Sequence, residues 1–422
     1  MPVSKLPVVT VSFVSDAGAV AEPPGLDGVA RLTARGLLEG TTARNGDALT
    51  ESLERLGASM EADAEWDSGI LATTVLSSRL SDAMALVAEV IREPGFPERE
   101  LERLKAERLA EILQRRAEPR GLADEMFARF LYTSDSRYAL PDAGTESSVA
   151  AIARADVAGF HSARYRPGST TAIIVGDVTI DDALRVMRTR FESWRSQRAE
   201  AVEADDRPAR RTRAIHLVEK ADAPQSELRI GHVGLPRTHP DYFAALVMNM
   251  LLGGLFSSRI NLNLREAHGY TYGAFSSFDW RRQAGPFMVA SAVRSDVTAA
   301  AAAEVLKEIE RMRSEKVSTE ELSLATSYLE GVFPIRYETT AAIARALSAM
   351  VVYGLPADYF DTYRDRVHAV SASDVLRAAR DFLHPEELQL VAVGDPAVIR
   401  GPLAAIDLGP LQTYDATGNS KS

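Results

Sequence analysis

Residues 152–178 (IARADVAGFHSARYRPGSTTAIIVGDV) and residues 370–396 (VSASDVLRAARDFLHPEELQLVAVGDP) align without a gap. Asp156 falls on Asp374, and the Gly-Asp pairs near the two ends coincide. In both stretches an amphipathic pattern precedes a proline and then an apolar run. This order predicts a helix, a turn and a buried strand. The chain therefore contains an internal repeat, and these stretches occupy equivalent places in its two halves.

Earlier parts of the two halves match as well. The helical patterns that begin at Ser81 and Ser295 correspond, and each is followed by a helix-start signal, at Pro97 and at the capping box of Ser318. The opening run VVTVSFV has its counterpart in ELRIGHV near Leu228. Each half is predicted to be an α+β domain, with helices packed on one face of a mainly antiparallel sheet.

The repeat and the composition predict the domain boundaries. We expect a first domain over residues 1–195, a linker over residues 196–214 and a second domain over residues 215–411. The linker prediction rests on the polar, charged stretch SQRAEAVEADDRPARRTRA. Residues 412–422 are polar and are predicted to form a loose tail.

The composition excludes several classes of function. A content of 46% hydrophobic and 25% charged residues is typical of a globular protein, and we expect no membrane span. The net charge of -11 disfavours nucleic-acid binding, which needs a basic surface to neutralise phosphates. The chain has no cysteine, which excludes disulfides, thiol nucleophiles and thiolate metal ligands.

Residues 251–278 (LLGGLFSSRINLNLREAHGYTYGAFSSF) are the most distinctive stretch of the second half. Gly253 and Gly254 are predicted to end a helix through positive-φ flexibility. Arg265 follows a predicted short helix and Tyr272 lies on a predicted strand, so the two offer a guanidinium and a phenol to one carbonyl or carboxylate. The alternative is a local ion pair for the arginine and a core position for the ring.

Residues 28–41 (GVARLTARGLLEGT) form a predicted helix in the first half. Arg31 and Arg35 lie four residues apart, on one face of that helix. A guanidinium stays protonated and cannot ligate a metal. The first histidine of the chain is His161, and no His-x-x-His spacing occurs. We therefore expect this chain to bind no metal.

The second-half motif resembles a pattern of the M16 metallopeptidases, the family of pitrilysin and the mitochondrial processing peptidase. The matching residues are Gly253-Gly254, Ser258-Arg259-Ile260, Leu264-Arg265-Glu266, Gly269 and Tyr272. The resemblance implies two homologous domains, each a LuxS-like metallohydrolase half-shell. It also implies that Arg265 and Tyr272 hold the substrate backbone near the scissile bond, in a substrate-binding segment that includes Gly253 and Gly254.

The family's zinc motif is degenerate in this sequence. Members carry His-x-x-Glu-His in the first domain, and the alignment with ARLTARGLLEGT places Arg31 and Arg35 at the two histidines. Ala34 stands at the catalytic glutamate, whereas the distal ligand glutamate is retained as Glu111. We expect the two arginines to form ion pairs with Glu39, Glu111 or a neighbour.

These matches imply a subunit of a split enzyme. Some M16 peptidases are heterodimers, and we expect this chain to be the subunit without zinc, inactive alone. A homologous partner with His-x-x-Glu-His would supply zinc and the catalytic glutamate, and the substrate would be an unfolded or short peptide. The alternative is an inert structural or peptide-binding homologue, as in respiratory complexes. Family first domains begin one strand earlier, which suggests a trimmed N-terminus and favours the periplasm over the cytoplasm.

Overall fold

The computed structural model describes residues 1–421, which fall into two compact units. The first unit contains Met1–Ile112, Pro141–Glu203 and Phe333–Ala357. The second unit contains Leu113–Leu140, Ala204–Val332 and the residues from Asp358 onward. The units therefore do not follow the sequence halves, because each half contributes one segment to the unit formed mainly by the other.

The elements alternate as an α+β pattern requires. The strands are β1 (Val8–Ser15), β2 (Ser59–Ala64), β3 (Gly69–Leu76), β4 (Thr170–Gly176), β5 (Ala214–Glu219), β6 (Gln225–Val233), β7 (Ala274–Phe278), β8 (Pro286–Arg294), β9 (Gln389–Gly394), β10 (Leu411–Tyr414) and β11 (Ser420–Lys421). The helices are α1 (Val29–Gly36), α2 (Gly46–Leu56), α3 (Leu80–Arg92), α4 (Glu98–Ala117), α5 (Pro119–Leu131), α6 (Glu146–Ala151), α7 (Arg154–Arg164), α8 (Ile180–Phe191), α9 (Tyr242–Asn249), α10 (Arg259–Asn261), α11 (Thr298–Ser314), α12 (Thr319–Arg336), α13 (Thr340–Tyr353), α14 (Tyr359–His368), α15 (Ala372–Phe382) and α16 (Pro396–Ala405).

The sheet of the first unit has four antiparallel strands in the order β2-β3-β1-β4. Successive side chains of β1 point to opposite faces. Val11 and Phe13 join the large core formed with α1 and α3. Val14 packs instead with Ala344 and Val352 of α13. Both faces of β1 are therefore covered, which explains why this strand is buried along almost its whole length.

The sheet of the second unit has seven strands in the order β11-β10-β5-β9-β6-β8-β7. It is mainly antiparallel, with β5 parallel to both β9 and β10. On one face, the Ser226 hydroxyl of β6 lies 2.9 Å from that of Thr298 on α11. On the other face, Arg229 of β6 donates to Asp124 of α5 at 2.6 Å. Helices therefore cover both faces of β6.

The predicted α+β repeat is confirmed in its central strands. β1 lies between β3 and β4, and β6 occupies the same place between β8 and β9. The aligned repeat stretches form α7 followed by β4 and α15 followed by β9. The capping box is also present, with the Ser318 hydroxyl accepting from the Glu321 amide at 3.1 Å.

Two helices pack on the sheet that is formed by the other half of the sequence. α13 packs on β1 and β4 of the first unit, and α5 packs on β6 and β9 of the second. The boundaries 1–195 and 215–411 describe the sequence repeat and stay a prediction. The compact units have different boundaries, because each sheet takes its second covering helix from the other half of the sequence.

The prediction of a loose tail at residues 412–422 is wrong for the part that the structure describes. β10 pairs with β5 and extends the second sheet. Thr413 and Tyr414 are buried there, and the Tyr414 hydroxyl lies 3.3 Å from Nδ1 of His216. The polar composition of the segment concealed a short strand, of which only the last two residues are buried. The predicted linker 196–214, in contrast, contains no helix or strand before Ala214.

One helical run has the length and hydropathy of a membrane span, although no such span was predicted from the sequence. Tyr242–Ala267 reaches a mean hydropathy of 1.5, but 67% of its most apolar window is buried inside the protein. Its apolar side chains include Val247, Met248 and Leu252, all in the core of the second unit. Because most of its apolar surface is already buried, we interpret the run as a core helix of the second unit.

Candidate functional site

The segment predicted to be a degenerate zinc motif lies on α1, where Arg31 forms ion pairs with two carboxylates. Arg31 Nε donates to Asp63 Oδ1 on β2 at 3.0 Å. A second guanidinium nitrogen of Arg31 lies 3.2 Å from Asp142 Oδ2. The Arg31 side chain is only 18% exposed, so it fills the site as well as carrying charge.

Arg35 and Glu111 form the ion pair that was one of the predicted options. Arg35 Nη1 lies 3.5 Å from Glu111 Oε1, and Arg108 Nη1 donates to Glu111 Oε2 at 2.9 Å. Partial burial opposes ionisation of Glu111, but the hydrogen bond from Arg108 and the charge of Arg35 outweigh it and lower its pKa. Glu39, the other predicted partner, pairs instead with Arg103 at 2.6 Å.

These residues do not fit a zinc ion. Arg31 and Arg35 present only donors, and their positive charges repel a cation. Glu111 is already shared by two guanidiniums. Ala34 has no exposed surface and offers no base for a water molecule. The first unit has ion pairs at the motif positions where a metallopeptidase needs ligands.

Arg265 and Tyr272 belong to the second unit, and both reach solvent. The Arg265 guanidinium lies 4.6 Å from the centroid of the Phe256 ring, and its Nε lies 3.3 Å from Glu266 Oε1. Tyr272 is 91% exposed, in the loop before β7. A core position for this ring is therefore wrong, and so is its predicted place in a strand, because β7 begins only at Ala274. Within residues 1–421 no hydrogen bond joins Arg265 to Tyr272.

A buried polar frame holds the segment that carries these two residues. Asn261 is 3% exposed, donates to the Phe256 carbonyl at 2.6 Å and accepts from the Ala274 amide at 3.0 Å. Arg259 donates two hydrogen bonds to Glu321, at 2.8 and 3.0 Å. Asn261 was not predicted as a site residue, although a polar side chain at a core position of an apolar helix indicates such a role.

Gly253 and Gly254 do not form the predicted positive-φ helix cap. Both lie in a widened helical turn, Met250–Gly254, and neither has a positive φ. A Cβ at Gly253 would lie 2.4 Å from the amide nitrogen and the hydroxyl of Ser276 on β7. Gly253 is required because the helix and the strand approach too closely for any side chain.

Comparison with known proteins agrees with this geometry. Residues 4–136 match the model described as insulinase (peptidase family M16), and residues 151–329 match the model described as peptidase M16 inactive domain. The chain belongs to the M16 peptidase family. An uncharacterized zinc protease of Streptomyces coelicolor is 23% identical over 89% of this chain and 82% of its own length.

Solved structures of M16 and related proteins share the fold. A crystal structure described as a peptidase M16 inactive domain from Pseudomonas fluorescens is 27% identical, with a TM-score of 0.88 over 94% of this chain and 95% of that one. A protease from Helicobacter pylori is 18% identical, with a TM-score of 0.84 over 92% of this chain and 95% of its own. The two-domain M16 fold is thus shown.

Proposed function

We propose that this chain is the subunit without zinc of a heterodimeric M16 metallopeptidase. A homologous partner with an intact His-x-x-Glu-His motif supplies the metal, the water and the catalytic glutamate. This chain supplies Arg265 and Tyr272, which hold the backbone of the peptide substrate.

The exposure of Arg265 and Tyr272 on a rigid frame carries the proposal. A tyrosine that is 91% exposed contributes little to the stability of its own unit, so its role lies in contacts with another molecule. Within residues 1–421 the Arg265 side chain has the exposed Glu266 and the Phe256 ring as its only partners, and it therefore keeps donors for a substrate carbonyl. Donors aimed at a carbonyl that develops negative charge are worth roughly 3 kcal/mol in comparable sites.

The ion pairs on α1 support the proposal that the partner chain supplies the zinc site while this chain binds the substrate. Arg31 is bound by two carboxylates and Arg35 by Glu111. The side chains at the positions predicted for zinc ligands are thus engaged in ion pairs. We therefore expect no hydrolysis by this chain alone. The substrate we propose is an unfolded or short peptide. It adds as a strand to a sheet edge such as β2, which in the described part of the chain pairs with β3 alone.

The test is peptidase activity on a quenched peptide, measured with this chain alone, with a zinc-bearing homologue from the same genome, and with both. We expect activity only in the mixture. The double variant Arg265→Ala, Tyr272→Phe should lower kcat/KM about 100-fold. A matched control is Arg294→Ala, Tyr328→Phe, which changes exposed residues of the second unit outside the motif.

Three results would contradict the proposal. Full activity of the partner alone, unchanged by this chain, would leave an inert structural or peptide-binding homologue. Equal losses in the double variant and its matched control would show that Arg265 and Tyr272 do not act on the substrate. Chelator-sensitive activity from this chain alone would overturn the assignment of α1 as a site without metal.

A further inference from the structure

Phe256 lies in the second unit between the widened turn Met250–Gly254 and α10, and its side chain is largely in solvent, with 68% of the residue exposed. The Arg265 guanidinium lies over its ring, 4.6 Å from the ring centroid. At this distance a cation is attracted to the face of an aromatic ring. Because the ring is so exposed, it adds little to the core of its unit, and its contact with Arg265 is the feature that needs an explanation.

The contact with the ring restrains Arg265 without occupying its hydrogen-bond donors. The five N–H groups of a guanidinium lie in its plane, whereas an aromatic ring attracts the charge itself. An ion pair has the opposite effect, since a carboxylate accepts hydrogen bonds from those N–H groups. Glu266 is such a competitor, with its Oε1 3.3 Å from Nε of Arg265. Removal of the ring would therefore favour the ion pair with Glu266 and leave fewer donors for a substrate carbonyl.

The backbone that carries the ring is fixed by hydrogen bonds. The Phe256 carbonyl accepts from Nδ2 of Asn261 at 2.6 Å, and the Ser258 amide donates to the Leu255 carbonyl at 3.1 Å. Asn261 is 3% exposed, so water competes little for its hydrogen bonds. A phenylalanine side chain rotates about only two bonds, and a fixed backbone leaves it few orientations. The ring is therefore a preorganised support for the guanidinium.

Asn261 also holds the loop that carries Tyr272. Its Oδ1 accepts from the amide of Ala274, which follows that loop, at 3.0 Å. Before Tyr272, the Thr271 hydroxyl donates to the Ala292 carbonyl of β8 at 2.6 Å. The support of Arg265 and the loop of Tyr272 are thus both hydrogen-bonded to one buried side chain.

We propose that Phe256 is a positioning residue, which holds the Arg265 guanidinium with its donors free for a substrate carbonyl. This proposal rests on the substrate-binding function proposed above for Arg265 and Tyr272. Phe256 acts through Arg265 and does not itself bind the substrate. Asn261 sets the position of this support relative to the Tyr272 loop by binding the Phe256 carbonyl and the Ala274 amide.

The first test uses this chain alone, without a partner or a peptide. The ring current of an aromatic face moves the NMR signals of nearby protons upfield. In a chain with isotope-labelled arginine, the Hδ signal of Arg265 is identified by its absence from the spectrum of Arg265→Lys. We expect this signal to move downfield in Phe256→Leu and to stay upfield in Phe256→Tyr and Phe256→Trp. An unchanged signal in Phe256→Leu would overturn the proposal.

The second test measures kcat/KM of the mixture with the zinc-bearing homologue. Phe256→Leu keeps an apolar side chain but removes the ring face, so kcat/KM should fall about two- to fivefold, as expected for an exposed cation–π contact. Phe256→Tyr and Phe256→Trp keep an aromatic face and should retain most of the activity. If the side chain served only as apolar surface, leucine would replace it without loss, and the proposal would be wrong.

The Arg265→Ala background separates an indirect role of Phe256 from a direct one. In this background Phe256→Leu should have no further effect on kcat/KM, because the guanidinium that it positions is absent. Tyr328→Leu removes an exposed ring of α12 outside the motif and is the matched control, with unchanged kcat/KM.

An equal loss from Phe256→Leu with and without the Arg265 side chain would show that the ring binds the substrate itself, which overturns the proposal. If kcat/KM does not respond to Arg265→Ala, the proposed function fails instead. The NMR signal of Arg265 then still decides whether Phe256 positions the guanidinium, so the two failures can be told apart.

Discussion

At the scale of single residues, Ala34 places an apolar side chain where the alignment predicts the catalytic base of a metal site. The motif alignment predicts that it stands at the position of the family's catalytic glutamate, and it is buried completely in the core cluster of the first unit. Its helix is fixed by flanking ion pairs at Arg31 and Arg35. Restoring one residue of the motif therefore places a carboxylate in apolar surroundings beside no metal.

We predict that Ala34→Glu lowers the free energy of unfolding by about 3 kcal/mol, since burying an uncompensated charge is costly. Urea unfolding followed by circular dichroism measures this change. Ala106→Glu on the exposed side of α4 is the control and should change stability by less than about 0.5 kcal/mol. Equal stability of the two variants would show that α1 moves away from its core to accept the carboxylate.

Glu111 gives a second prediction at this scale. Its pKa is lowered from 4.5 because Arg108 and Arg35 overcome the effect of burial. A lowered carboxyl pKa contributes stability that is present above pH 4.5 and is lost as the pH falls through the folded-state value. Glu111→Gln should therefore be less stable than the unaltered chain at pH 7, and the difference should shrink below pH 4.5. A pH-independent difference, measured by thermal unfolding, would contradict the ionic role.

At the scale of elements, the contact between the Met250–Gly254 turn and β7 leaves no room for a side chain. We predict that Gly253→Ala destabilises the second unit by about 1–3 kcal/mol, because its Cβ would overlap Ser276. Gly331→Ala on α12 is the matched control, since nothing lies within 4 Å of its Cβ position. That change should stabilise the helix by up to about 1 kcal/mol. Urea midpoints of the two variants should thus move in opposite directions.

The sequence was sufficient for the elements that carry a local pattern. Hydrophobic periodicity or capping residues predicted the central strands β1 and β6, the helices after Pro97 and Ser318, and the repeated helix-strand pairs. The exchange of α5 and α13 was not predictable, because an amphipathic helix does not specify which sheet it covers. β10 was missed because its four residues are too few for an alternation to be visible.

The candidate site divides in the same way. Arg31, Arg35, Arg265 and Tyr272 were found from motif spacing, and the pair of Arg35 with Glu111 from charge alone. Asp63 and Asp142 as the partners of Arg31 were not predicted, since they lie far away in the chain. Packing between distant segments, which a single sequence does not reveal, also determines the role of Gly253.

At the scale of the whole molecule, two buried histidines make stability depend on pH. Burial lowers the pKa of His216 and of His232 to about 4 from an ordinary value of 6.5. His232 Nε2 accepts from the His384 amide at 3.1 Å, and its Nδ1 faces the Val233 carbonyl, so the folded protein holds the neutral ring. Between pH 6.5 and 4 the unfolded chain takes up protons that the folded chain does not.

We predict that the free energy of unfolding falls as the pH is lowered through this range, by up to about 1.4 kcal/mol per pH unit for each histidine. Urea unfolding at pH 7, 6, 5 and 4 measures the slope. His216→Gln should reduce the slope by the contribution of one group. A flat profile between pH 6.5 and 5 would show that neither ring resists protonation in the folded state.

The exchanged helices have a consequence for dissecting this chain. A cut between Glu203 and Ala204 falls in the segment without helix or strand, yet it does not release two self-sufficient pieces. The N-terminal fragment would keep α5 but lose the helix that covers its own sheet, and the C-terminal fragment would keep α13 with the reverse loss. Each would expose a sheet face that is buried in the intact chain. When the two fragments are produced together, we expect each to restore the solubility of the other by complementation. The two repeated halves therefore depend on each other for folding.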